Sequence, residues 1–184
     1  MPAAAKIVYT PVNVTVSGNG SIRIDLNHDG ADFTVDVAAG SEGCGFFGEE
    51  VFAFVNVTPA MGNGVVARGE DAAALNIGTQ IDSSESFYEA QAVMASGIYE
   101  SGPPPCPAKH TSGYWCNGKT GRTGDSPCHT VDGYLGLKFE MNGSTHYGWA
   151  HLAITPRSNL TFAVKLTGYA YETVAGMPIN AGQT

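Results

Sequence analysis

Charged side chains are scarce in this sequence: Asp, Glu, Lys and Arg make up 14 % of its 184 residues, against roughly 25 % in an average soluble domain. Positive charge is scarcer still, with nine Lys and Arg against 17 Asp and Glu and a net charge of −8. Affinity for nucleic acid rests on clustered Lys and Arg, so this balance argues against a phosphate-backbone partner. No apolar run approaches the ~20 residues that a membrane-spanning helix needs. The opening Met1-Pro2-Ala3-Ala4-Ala5-Lys6 lacks the basic and apolar stretches of a signal peptide. Its small residues read as what an export cleavage leaves behind, or as an added Met on a trimmed chain. There is no G-x-S-x-G; the nearest string, Ala39-Gly40-Ser41-Glu42-Gly43, lacks the first glycine and a strand-to-helix elbow. The acidic residues Glu49, Glu50, Glu85, Glu89 and Glu140 offer no spacing that selects a hydrolytic pair.

What remains is β-rich. Hydrophobic residues reach 43 %, with Gly 24 and Pro 10, enough for a core in one domain spanning residues 1–184. Ile7 to Val16 is β-branched and nearly continuous, and Pro11 marks it as an edge strand or a bulged one; residues 1–16 also read as an N-terminal arm or edge strand. Ile22, Ile24 and Leu26 alternate with polar residues, as do Phe33, Val35 and Val37, and Val51 to Val57 forms a further strand. Ser86 to Ala95 reads as a short helix with Ser84 or Ser86 as its cap. Residues 101–130 form a Cys- and Pro-rich loop insertion.

The C-terminal third is the most legible. Asn142-Gly143 specifies a two-residue hairpin turn with positive φ at both positions. Counting outward pairs Met141 with Ser144, Phe139 with His146, Leu137 with Gly148 and Leu135 with Ala150 on an apolar face. The opposite face pairs Glu140 with Thr145, Lys138 with Tyr147, Gly136 with Trp149 and Tyr134 with His151. On that face Gly136 is expected to leave room for the Trp149 indole. A third strand carries Leu160, Phe162, Val164 and Leu166 on one side. The fold class expected is all-β: an antiparallel, jelly-roll-like β-sandwich with a disulfide-stapled long loop and at most one short helix.

The four cysteines, Cys44, Cys106, Cys116 and Cys128, show no CxxC spacing and read as two disulfides of an exported protein. Of the three pairings open, Cys106–Cys116 with Cys44–Cys128 is favoured. Asp25-x-Asn27-x-Asp29-Gly30-x-Asp32, extended to Asp36, places oxygen ligands as a calcium loop does. An Asx-rich turn bonded to its own backbone is the competing reading. His146 faces the apolar side and reads as a buried structural histidine. His151, beside Tyr134 and Trp149, reads as part of a ligand face or as surface packing. Tyr114 and Trp115, beside Cys116, join His151 as candidate ligand-binding residues, because exposed rings stack on sugar faces. Phe46-Phe47 and Phe87-Tyr88 are further aromatic pairs near loops.

His146-Tyr-Gly-Trp-Ala-His151-Leu, then Gly168-Tyr-Ala-Tyr-Glu-Thr173 and Pro178-Ile-Asn-Ala-Gly182, resembles the tail YGWxRL…YAYET…PIxAG of exported bacterial β-rich proteins of the PEP-CTERM-associated type. Val8-Tyr-Thr-Pro11 and Asp25-Leu-Asn-His-Asp-Gly30 fit the same family. His151 stands where the family has Arg, and no sorting tail follows Thr184. The resemblance implies export and a sandwich fold, and brings no reaction with it.

Two functional classes follow. The first is a secreted, non-enzymatic cell-surface or matrix protein, acting by self-association (as a filament subunit, with Ala3 to Val16 donated to a neighbour's sheet), by adhesion or by binding an extracellular glycan. The second is a secreted hydrolase or metal-dependent enzyme built around residues 101–130.

Overall fold

The structure, a computed structural model, describes residues 6–44, 48–101, 110–117, 128–157 and 161–184. Strands β1 (Ile7–Ser17), β2 (Gly20–Ile24), β3 (Phe33–Cys44), β4 (Gly48–Pro59) and β5 (Gly64–Arg68) open the chain. Short strands β6 (Asp71–Ala72), β7 (Gln80–Ile81) and β8 (Phe87–Tyr88) follow, then β9 (Ala92–Ser101), β10 (His110–Ser112) and a single helical turn, α1 (Tyr114–Asn117). Strands β11 (Val131–Met141), β12 (Ser144–Pro156), β13 (Phe162–Glu172) and β14 (Ile179–Asn180) complete it. The fold is all-β, as expected. One sheet runs in the order β1-β13-β12-β11-β5-β6-β9-β4-β3-β2, with β8 and β10 attached to its flanks. Its two ends, β1 and β2, are joined by the tight turn at Gly18, where φ is +73°, so the sheet nearly closes on itself.

Alternation along the strands builds the core. Ile22, Ile24, Phe33, Val35, Val37, Val55 and Val57 point inward from one half of the path. Leu135, Leu137, Phe139, Leu152, Ile154, Val164 and Leu166 meet them from the other half. Burying each such side chain contributes about 1.5–3 kcal/mol. The hairpin register is the one read from Asn142-Gly143: Met141 opposes Ser144, and the pairing continues without slip to Val131 opposite Ile154. Both turn residues take positive φ, Asn142 at 54° and Gly143 at 74°.

Three expectations are corrected. Residues 86–95 form no helix. Phe87 and Tyr88 pair with Val66 and Val65, and the stretch from Ala92 pairs with β4, with a register shift between Val55 and Asn56, because pairing beside an existing strand outweighs local helix propensity. Gly136 does not make room for Trp149; a Cβ there would lie 2.5 Å from Val66 Cγ2 and 2.9 Å from Leu75 Cδ1. Those side chains belong to a second apolar layer laid over the outside of β11–β13, with Ile81, Tyr147, Trp149, Ala170, Ile179 and Ala181. The face read as amphipathic is therefore covered by residues from distant parts of the chain. Finally, Cys116 is bonded to Cys128 across a sequence separation of 12, with Cα atoms 4.5 Å apart. That bond rules out both favoured pairs, Cys106–Cys116 and Cys44–Cys128. The helical turn explains it: His129 N donates to Cys116 O at 2.9 Å, folding the chain back so that the two sulfurs meet. Cys106, Phe46, Phe47 and Leu160 lie outside the described residues.

Candidate functional site

The site is built on the β11–β12 pair. Tyr134 and His151 are directly opposed, and their rings stack with centroids 4.5 Å apart. Trp149, two residues before His151 on the same face, meets Tyr134 edge-on at 5.3 Å and Tyr9 of β1 at 5.8 Å. The Trp149 indole N–H donates to the Gln183 carbonyl at 3.1 Å, so the C-terminal turn holds this row in place. Tyr9 is 42 % exposed and Trp149 only 3 %; the accessible part of the row therefore lies at its two ends.

His151 is fixed through both ring nitrogens. Nε2 contacts Asp132 Oδ1 at 2.7 Å and Nδ1 contacts Thr167 Oγ1 at 2.6 Å. Thr167 reaches the ring because the β12–β13 register shifts there, from His151 opposite Gly168 to Leu152 opposite Leu166, leaving Thr167 as the unpaired residue. Bulges re-aim side chains in this way. With both nitrogens engaged, the His151 ring is held in one orientation.

Leu75 N donates to Tyr134 O at 2.9 Å and Tyr134 N donates to Leu75 O at 3.0 Å. This bridge places Leu75, Asn76 and Ile77 as the opposite wall of a cavity of about 350 Å³, completed by Asp132, Gly133, Tyr134 and His151. Ile77 is 74 % exposed. Gly182 fits between the walls because a Cβ there would lie 3.0 Å from both Ile77 Cγ1 and Tyr134 Oη, and its φ of +83° suits glycine. Burial, then the Asp132 carboxylate and the Tyr9 phenol, raise the Tyr134 pKa above its ordinary value, so its hydroxyl stays a hydrogen-bond donor. The cleft thus offers a stacking ring, an exposed apolar edge, a carboxylate and a phenol. That combination fits the hydroxyl-and-C–H surface of a sugar.

The other sequence candidates fall elsewhere. Tyr114 lines a neighbouring cavity with Arg68, Ala73, Ala74, Leu75, Asn76 and Thr79. Trp115 is fully buried in the core and presents no surface to a ligand. His146 is buried, with Nδ1 2.9 Å from Glu172 O, the structural role expected.

The acidic turn is bonded internally. Asp32 Oδ2 accepts from Leu26 N at 2.7 Å, and Asn63 Nδ2 donates to Asp32 O at 3.2 Å and to Oδ1 at 3.4 Å. Asn27 Nδ2 donates to Asp29 Oδ2 at 2.8 Å. Asp36 lies beyond the turn, on β3 opposite Ser21 and Asn56. Among the described residues no three His, Cys, Asp or Glu side chains converge as metal ligands. Asp25 Oδ1 is buried there without a hydrogen-bond partner.

Sequence reasoning missed Asp132, Thr167, Leu75, Ile77 and Arg68. Asp132 was within reach, since the hairpin register puts it one step diagonal to His151. The others arrive through a bulge or from distant segments.

No known protein family, curated protein or solved structure matches this chain significantly.

Proposed function

We propose that this chain is an exported, non-enzymatic surface or matrix domain that binds an extracellular glycan in the Tyr134–His151 cleft. The observation that carries the reading is the held geometry of the cleft. His151 is locked by Asp132 and Thr167, so Tyr134 and its neighbours form a preorganised platform that loses little freedom on binding. Export is supported by the Cys116–Cys128 bond, since disulfides persist in oxidising compartments, and by the resemblance of the tail to exported β-rich proteins. The architecture is read as a flattened sandwich hinged where β5 passes from β11 to β6, with one core between its halves.

A glycan array followed by titration tests the reading. Tyr134→Ala and Asp132→Asn should each weaken the best array hit by about tenfold, the scale of one aromatic or hydrogen-bonding contact. An array with no hit, or a hit indifferent to both substitutions, removes it.

A second reading, self-association, draws on the two sheet ends. β1 pairs β13 on one side and β2 pairs β3, and no H-bonded ladder joins β1 to β2 in the sheet path. Strand addition at that seam would link copies of the chain. Size-exclusion mass with and without residues 1–16 decides it; a monomer in both removes the assembly variant.

A further inference from the structure

We infer that the glycan carries a carboxylate and that Arg68 holds it, in the second cavity on the other side of Leu75 and Asn76. This inference rests on the glycan reading above.

The two cavities share the Leu75–Asn76 segment as a common wall. The second has a volume of about 340 Å³, similar to the first, and both fall at the lower end of the ~300–1,000 Å³ of small-molecule sites. A chain of two or three sugar units crossing that segment would place one unit in each. Their chemistry differs. The first cleft presents the Asp132 carboxylate. The second is lined by Arg68, Asn76, Thr79 and Tyr114.

Arg68 is available. It is exposed, and it stands directly opposite Asp71 across the β5–β6 pair. Even so, it makes no ion pair among the described residues. Asp71 is perturbed by its own burial and then by Glu70, not by Arg68. In a chain with nine basic residues against 17 acidic ones, an unpaired guanidinium beside a cavity is the feature that selects an anion. A guanidinium fork matches a carboxylate in a bidentate fashion. The protein's overall negative charge repels polyanions at long range, so recognition is of a single recessed carboxylate and not of bulk charge.

The test is calorimetric titration of the full chain with trisaccharides that carry one galacturonate, glucuronate or mannuronate unit among neutral sugars, each against its methyl ester. The expected result is a trimer bound at least tenfold more tightly as acid than as ester. Arg68→Gln should bring that acid to within twofold of its ester by weakening the acid more than the ester. Arg68→Lys should retain part of the preference, and Tyr134→Ala should weaken acid and ester alike. Equal binding of acid and ester by the unaltered chain, or an undiminished preference in Arg68→Gln, overturns the Arg68 site and leaves the glycan reading standing. Binding of neither form overturns the Arg68 site, and the glycan reading falls with it only where the array also gives no hit.

Discussion

Asn63 accepts a hydrogen bond from the Glu140 backbone amide at 3.0 Å through Oδ1, while its Nδ2 donates to the Asp32 carbonyl at 3.2 Å. One buried side chain in the turn before β5 therefore ties the β2–β3 turn to β11, across opposite halves of the sheet. Removing it takes the partner from the part-buried Glu140 amide, at a cost of about 1–3 kcal/mol, while the Asp32 carbonyl keeps its bond from Ala60 N at 2.8 Å. Asn63→Ala should lower the urea unfolding free energy by about 1–3 kcal/mol with an unchanged denaturant slope. A loss under 1 kcal/mol would show the turn is held by other contacts.

Asp32 gives a pH signature. Its pKa is raised, first by burial and then by the charges of Asp29 and Asp25, against the opposing bonds from Leu26 and Asn63. The ionised form is thus disfavoured in the native state, and the cost is fully present above the folded pKa. As pH falls through that value towards about 3.9, the unfolded value, the native state takes up its proton first and the cost is relieved. In the difference between the native chain and Asp32→Asn, stability should shift towards the native chain on acidification from pH 7 to 4. A difference that is flat with pH, or of opposite slope, contradicts the assignment.

The stacked pair at the cleft sets a third expectation. His151→Ala removes the ring facing Tyr134 and the partners of Asp132 and Thr167. The stack and a hydrogen bond are each worth about 1 kcal/mol. Stability should fall by about 1–2 kcal/mol, and glycan affinity should fall because Tyr134 loses its support. His151→Gln, which keeps a hydrogen-bonding group but not the ring, should recover stability better than affinity.

The disulfide joins the two cavities mechanically. Cys116 sits in the turn that carries Tyr114, and Cys128 lies just ahead of the strand that carries Asp132 and Tyr134. Closing a loop of this size contributes about 3 kcal/mol in the chain-entropy account. Replacing both cysteines by Ser should cost about that much, and should weaken acidic trimers more than Arg68→Gln alone. Unchanged calorimetric stability after reduction would refute the structural role.

How far these features were legible depends on where the partners of each residue come from. The β11–β12 register followed from Asn142-Gly143 alone, because a two-residue turn and a period of two fix every later pair. The Tyr134–His151 contact came with it. Gly136 was misread because its neighbours, Val66 and Leu75, come from a layer some sixty residues earlier in the chain that no local pattern announces. The pairing of Cys116 with Cys128 depended on a one-turn helix too short to leave a periodic signal. Residues 86–95 are rich in helix formers, yet β5 claimed Phe87 and Tyr88 and β4 claimed the stretch from Ala92. Thr167 entered the site through a bulge, and Arg68 through a strand that changes partners midway; neither leaves a mark in composition.

The pairing of β1 with β13 has a consequence in time. Ile7 lies opposite Glu172 and Ser17 opposite Ala163, so during synthesis β1 waits for a strand made long after it. Such long-range closure is slow. Until it happens, the β13 flank stands open, and a second molecule's leading segment can occupy it in place of the chain's own.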